Sequence, residues 1–144
     1  MREKAKLTVD EIRRLLAVEF PEMFNPESGF AIDEIWFRGC KVRKLFSPKS
    51  LRPGGTISGP TMMALADFAP YVAIHATIGW APTAMTTNLS INFLKPPQQK
   101  DLLAEARLIK IGKRLAVAEI GIRSEGEEDL VAHATSTYSI PPRR

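Results

Sequence analysis

The rhythm of hydrophobic and polar positions changes several times along this chain. In "TVDEIRRLLAVEFPEMF", Ile12, Leu15, Leu16 and Phe20 fall on one stripe at the helical period, which predicts a helix with a single buried face. Thr8 stands where an N-cap belongs, Glu11 three positions later completes a capping box, and Pro21 closes the segment. "FAIDEIWF" and "CKVRKLFS" flank "RG" and read as two strands of a hairpin. A loop rich in Pro, Gly and Ser follows, "PKSLRPGGTISG". Then polarity almost vanishes. "GPTMMALADFAPYVAIHATIGW", Gly59 to Trp80, is apolar nearly all round, and its Ala, Met and Leu content favours helix. Such a helix has to be buried on nearly every side.

Beyond Trp80 the period becomes two. In "AMTTNLSINFL", Met85, Thr87, Leu89, Ile91 and Phe93 alternate with Thr86, Asn88, Ser90 and Asn92. "LLAEARLIK" and "RLAVAEIGIRS" are two further strands joined across "IGK", and "EGEED" turns into "LVAHATSTYSI". The expected order is helix, hairpin, central helix, then a four-strand antiparallel meander. The economical way to cover one apolar helix with about six strands is an α+β arrangement, a curved antiparallel sheet wrapped around it. No repeat or linker interrupts the chain. Residues 1–144 therefore read as one domain, with a helix and loop over 1–28 and a core over about 29–142.

Composition narrows the function class. Hydrophobic residues make up 44% and charged residues 25%, which excludes long disorder. The net charge of +4 comes from short basic groups without interleaved aromatics, unlike a nucleic-acid platform, so no nucleic-acid partner is expected. Cys40 is the sole cysteine, which rules out an intrachain disulfide and a cysteine-rich zinc site; it reads as a small buried hydrophobe. His75 and His133 are too few for a multi-histidine centre, so no metal is expected. "MREKAKLTVDEIRRLL" is charged and amphipathic, unlike an apolar leader. Asp67, Pro70 and His75 inside the long apolar segment argue against a membrane span. The expectation is a cytoplasmic enzyme or binding protein with no membrane partner.

Asp67 is the one charged residue between Arg52 and Lys95. Burying even a neutral polar group without a partner costs roughly 2–7 kcal/mol, and a carboxylate more. The acid is either paired for structural reasons or kept for chemistry. Pro70 cannot donate to the Ala66 carbonyl and is expected to kink the helix there, which either aims Asp67 or fits the helix to the sheet.

Taken together in order and spacing, "RPGGTISGPTMMALADFA", "TTNLSINFLKP" and "GKRLAVAEIGIRSEGEEDLVAHATSTYSI" resemble the hotdog-fold acyl-CoA thioesterases, in particular the phenylacetate-pathway-like and 4-hydroxybenzoyl-CoA thioesterase-like branch. The resemblance covers about Ser47 to Pro142. The family pattern has Asn, then six residues on His-Gly-Gly, then an acid nine positions after that His. Gly55-Thr56, Gly59 and the "ALAD" ending at Asp67 follow it. Three positions depart: Arg52 stands for the Asn, Ser58 for the His and Pro60 for the second Gly. Proline suits the first turn of a helix and leaves the Gly59 N–H free.

The resemblance implies a hotdog fold and hydrolysis of an acyl-CoA, with coenzyme A entering only as part of the substrate and no other cofactor. Asp67 is then the general base or nucleophile, the Gly59 N–H polarises the thioester carbonyl at a helix N-terminus, and Thr86 orients the attacking water. Arg52 and Ser58 face substrate, Met63 lines an acyl path, and Lys95, Lys113 and Arg114 meet CoA phosphates. Two other functions stay open: a hotdog hydratase pairing His75 with Asp67, and a non-catalytic acyl-CoA sensor in which Arg52 neutralises Asp67. The strand over 84–94 carries no charge and no proline, the devices that protect an exposed edge. The resemblance places it at a sheet edge against the same strand of a second copy, giving a homodimer or a tetramer of two such dimers.

Overall fold

The computed structural model describes residues 3–142. Helix α1 (Val9–Glu19) begins with the expected capping box: Thr8 Oγ1 accepts from the Glu11 N–H at 3.1 Å and Glu11 Oε1 accepts from the Thr8 N–H at 2.9 Å. Ile12 and Leu16 are fully buried, while Phe20 caps the C-terminus ahead of Pro21. Strands β1 (Phe30–Trp36) and β2 (Gly39–Lys44) form the hairpin, but its turn is Phe37-Arg38 and Gly39 already pairs with Trp36. Glycine is required there because a Cβ would lie 2.1 Å from the Trp36 indole nitrogen.

Helix α2 (Gly59–Ile78) runs through Pro70 and ends at Gly79, whose φ of 91° suits glycine. By length and composition it could cross a membrane, but here it is the core: every residue from Phe68 to Thr77 is buried. Strands β3 (Met85–Phe93), β4 (Leu102–Ile111), β5 (Leu115–Ser124) and β6 (Leu130–Ser139) complete a six-stranded antiparallel sheet ordered β1-β2-β4-β5-β6-β3. All six strands pack against α2, so the hotdog architecture holds. Small inward side chains permit the close wrap. Ala104 and Ala106 on β4, Ala116 and Ala118 on β5, and Ala132, Ala134 and Ser136 on β6 leave room for the helix against the sheet.

The expected four-strand meander is corrected. Of these four strands only β4, β5 and β6 follow one another side by side; β3 pairs with β6 at the far edge, and β4 lies between β2 and β5. The central helix lies between hairpin and β3 in sequence, so the chain crosses the core before β3 forms. That strand then closes the sheet from the opposite side.

A second correction concerns the faces of β3. Its pairing with β6 carries a bulge between Thr86 and Asn88, and one extra residue reverses the alternation. Thr86 therefore shares the helix-facing side with Leu89 and Ile91, while Met85 and Thr87 are exposed.

At the other end of the sheet Arg43 ties several segments together, reaching Asp33 at 3.1 Å, Asp101 at 2.8 Å and Glu125 at 2.6 Å. These carboxylates hold its guanidinium charge even more firmly than usual. The basic group Lys41 to Lys44 is thus more than solvated surface.

Candidate active site

The sheet leaves one strip of α2 uncovered. Pro60, Met63 and Ala64 are exposed and Asp67 is half-buried, positions that recur on one helical face. The strip opens beside edge strand β3.

Two clusters lie along it. At the N-terminal end Ser58 is the N-cap, its Oγ accepting from the Thr61 N–H at 3.4 Å and lying 2.8 Å from Thr61 Oγ1. Pro60 has no N–H, so the Gly59 N–H is the spare donor of the first turn. Gly59 lines a groove of about 500 Å3 with Arg52, Ile57, Met62, Phe93 and Lys95. Its lining is largely apolar, and among the described residues no acid lines it. Arg52 is presented by a pinned turn: its N–H donates to the Thr56 carbonyl at 2.9 Å, and its carbonyl accepts from the Gly55 N–H at 3.0 Å. Gly54 and Gly55 take φ of 100° and 82° there, and Gln99 Nε2 donates to the Gly55 carbonyl at 2.7 Å. Among the described residues Arg52 forms no ion pair with Asp67 of the same chain. Lys95 lies 3.5 Å from Asp129.

The second cluster is Asp67 itself. Thr86 Oγ1 donates to Asp67 Oδ1 at 2.5 Å. The Tyr138 hydroxyl lies 2.7 Å from the Asp67 main-chain oxygen and 3.1 Å from Oδ1. These bonds explain how an acid survives in an apolar helix with no cationic partner among the described residues. Thr86 and Tyr138 face each other in the β3–β6 register, so one position on the sheet edge supplies both hydroxyls. Tyr138 was not foreseen. The available signal was period two in "LVAHATSTYSI", where Tyr138 is the one aromatic residue on the side of Ala132, Ala134 and Ser136. Its phenol is pushed well above the ordinary tyrosine value, first by burial and then by the Asp67 charge, so it remains a donor.

Gly59 and Asp67 are eight residues apart on one helix, or about 12 Å along its axis. They do not meet on one small group within a chain. Lys113 and Arg114 sit in the exposed β4–β5 turn at the Met85 end of the sheet, away from Lys95. His75 is fully buried, accepts from the Ala81 N–H at Nδ1 (3.1 Å), and packs between Tyr71 and Trp80. It is not a partner of the Asp67 carboxylate. Cys40 is buried, donates to the Ala69 carbonyl at 3.1 Å, and its thiol is pushed up by burial, the profile of a packing residue. Among the described residues no group of three potential metal ligands clusters.

Residues 54–131 match the model of the thioesterase superfamily. An inferred esterase of Saccharolobus solfataricus is 31% identical over 93% of this chain and 86% of its own length. The crystal structure of an inferred thioesterase from Silicibacter sp. TM1040 superposes with a TM-score of 0.86 at 41% identity, covering 96% of this chain and 94% of that one. A phenylacetic acid degradation-related protein of Ralstonia eutropha JMP134 shares the fold, with a TM-score of 0.78 at 23% identity over 93% of this chain and all of its own. The wrapped helix, the half-buried acid with its two hydroxyls and these likenesses converge: this chain belongs to the thioesterase superfamily, whose general chemistry is thioester hydrolysis.

Proposed function

We propose that the protein hydrolyses acyl-CoA thioesters, with Asp67 activating water and the Gly59 N–H polarising the thioester carbonyl. The observation that carries this reading is the Asp67 carboxylate, held by hydroxyls at the open strip of an otherwise apolar helix. A thioester needs little acid assistance, because a thiolate leaves readily. It needs an activated water and a donor where the oxyanion forms. Water oxygen bonds to the carbonyl carbon as its proton passes to the carboxylate. The oxyanion is met by the Gly59 N–H, the C–S bond breaks, and the sulfur leaves as thiolate. The proton on Asp67 then passes to that sulfur or to solvent.

Because the two groups lie about 12 Å apart along one helix, a single site draws them from two copies. Antiparallel pairing of β3 with β3 of a second copy about its middle does this. It sets the Phe93 end, against which Gly59 lies, beside the other copy's Met85 end, where Thr86 holds Asp67. Lys95 at one end of β3 and Lys113 and Arg114 at the other then approach the same site, where we assign them to CoA phosphates. Met63, exposed on the open strip, lines the acyl path, and Ser58 fixes the helix start while facing substrate.

The test is a panel of short-chain, aryl and long-chain acyl-CoAs with a thiol reporter, run on the wild type and Asp67→Asn. The wild type releases thiol, and the variant stays folded and binds acyl-CoA without turnover. Wild-type turnover in Asp67→Asn overturns the base. Binding without thiol release by the wild type points instead to a sensor.

A further inference from the structure

The two oxygens of Asp67 have different surroundings. Oδ1 receives Thr86 Oγ1 at 2.5 Å and lies 3.1 Å from the Tyr138 hydroxyl, while no side chain or main-chain donor among the described residues reaches Oδ2. The phenol has one proton, which is shared between the Asp67 main-chain oxygen and Oδ1, while Thr86 gives its own proton to Oδ1 alone. Tyr138 does more than touch the side chain: its hydroxyl also reaches the Asp67 main-chain oxygen at 2.7 Å, just ahead of Pro70. The phenol itself is fixed. It is 3% exposed, its ring stacks on Tyr71 at 6.3 Å, and the Tyr71 hydroxyl donates to the Pro82 carbonyl at 2.8 Å.

We infer that Tyr138 is a positioning residue: with Thr86 it clamps Oδ1 and the main chain of Asp67, and so assigns Oδ2 as the oxygen that takes the proton from water. This rests on the hydrolysis reading above. Burial and the neighbouring carboxylate keep the phenol protonated, so the clamp persists across the working pH range. Its benefit is preorganisation. A carboxylate whose torsions are set by the fold need not be oriented during the reaction, and small misplacements of a reacting group are costly. Thr86 gives its only proton to Oδ1, yet its oxygen can still accept from the water that Oδ2 deprotonates. Both hydroxyls therefore act on one side of the carboxylate and leave the other to chemistry.

Tyr138→Phe keeps the buried ring and removes one oxygen. The expected result is a kcat lower by about 10–100-fold with KM within about twofold, because the acid is misaimed while the groove at Gly59 is untouched. A crystal structure of Tyr138→Phe should show the Asp67 carboxylate rotated or in two orientations. Thr86→Val, which removes the other donor to Oδ1, should give the same kcat-against-KM split. The proposal is overturned by unchanged kcat in Tyr138→Phe or Thr86→Val. It is equally overturned by a carboxylate that stays in place without the phenol oxygen. If the wild type hydrolyses no thioester, the hydrolysis reading fails separately, and the carboxylate orientation in Tyr138→Phe still decides the clamp.

Discussion

A β-carbon added at Gly59 would sit 3.4 Å from Cζ of Phe93, a contact that asks the neighbour to move by a few tenths of an ångström. Phe93 is 49% exposed on an edge strand, so its ring can yield. Gly59 is not in the left-handed region, but it opens the helix directly before Pro60, where a Cβ meets the proline ring. Gly59→Val should still fold, at a cost in stability of about 1–3 kcal/mol. Activity should respond very differently. The branched side chain fills the space in front of the first-turn N–H, and a thioester carbonyl no longer comes within hydrogen-bond distance. Loss of one oxyanion donor costs about 3–4 kcal/mol of barrier, or roughly 100–1000-fold in kcat. Gly59→Ala, with only the β-carbon, should fall between. Steady-state thiol release gives kcat and KM, and thermal unfolding reports the fold. A valine variant that stays folded at the assay temperature and keeps kcat within about threefold of wild type would refute the assignment of this N–H to the oxyanion.

Arg52→Asn replaces the guanidinium in the Gly59 groove with the residue the family pattern carries. Turnover of neutral acyl-CoAs should rise or broaden across the substrate panel, and loss of all activity would show instead that Arg52 binds the thioester carbonyl or a substrate carboxylate itself. Proline at Asn88 or Asn92 should break strand pairing along β3 and cost assembly and activity together, as read by sedimentation and thiol release. A wild-type protein that is monomeric and fully active at nanomolar concentration would sink the two-copy site.

The central helix was legible because polarity is absent on every side of it. A segment with no polar face admits only burial, and six strands of period-two sequence were the material available to bury it. The capping box at Thr8 and Glu11 and the isolation of Asp67 were equally local, each a matter of residues a few positions apart. Even the separation of Gly59 from Asp67 follows from the helical rise once the helix is granted. What the chain could not disclose was adjacency. Alternation reports which residues share a face and says nothing of which strands are neighbours, so β3 was expected beside β4 and instead closes the sheet against β6. Alternation also assumes an unbroken ladder. One bulged residue after Thr86 reverses it, turning Thr86 towards the helix and Met85 to solvent. Tyr138 is 71 residues from Asp67 and becomes its partner only because β6 passes beneath the middle of α2 beside β3. Local sequence determines the elements and their buried faces, since those depend on torsions and short-range periodicity. The working geometry of Asp67 depends on the closure of the sheet around the helix, a long-range event that no segment encodes alone.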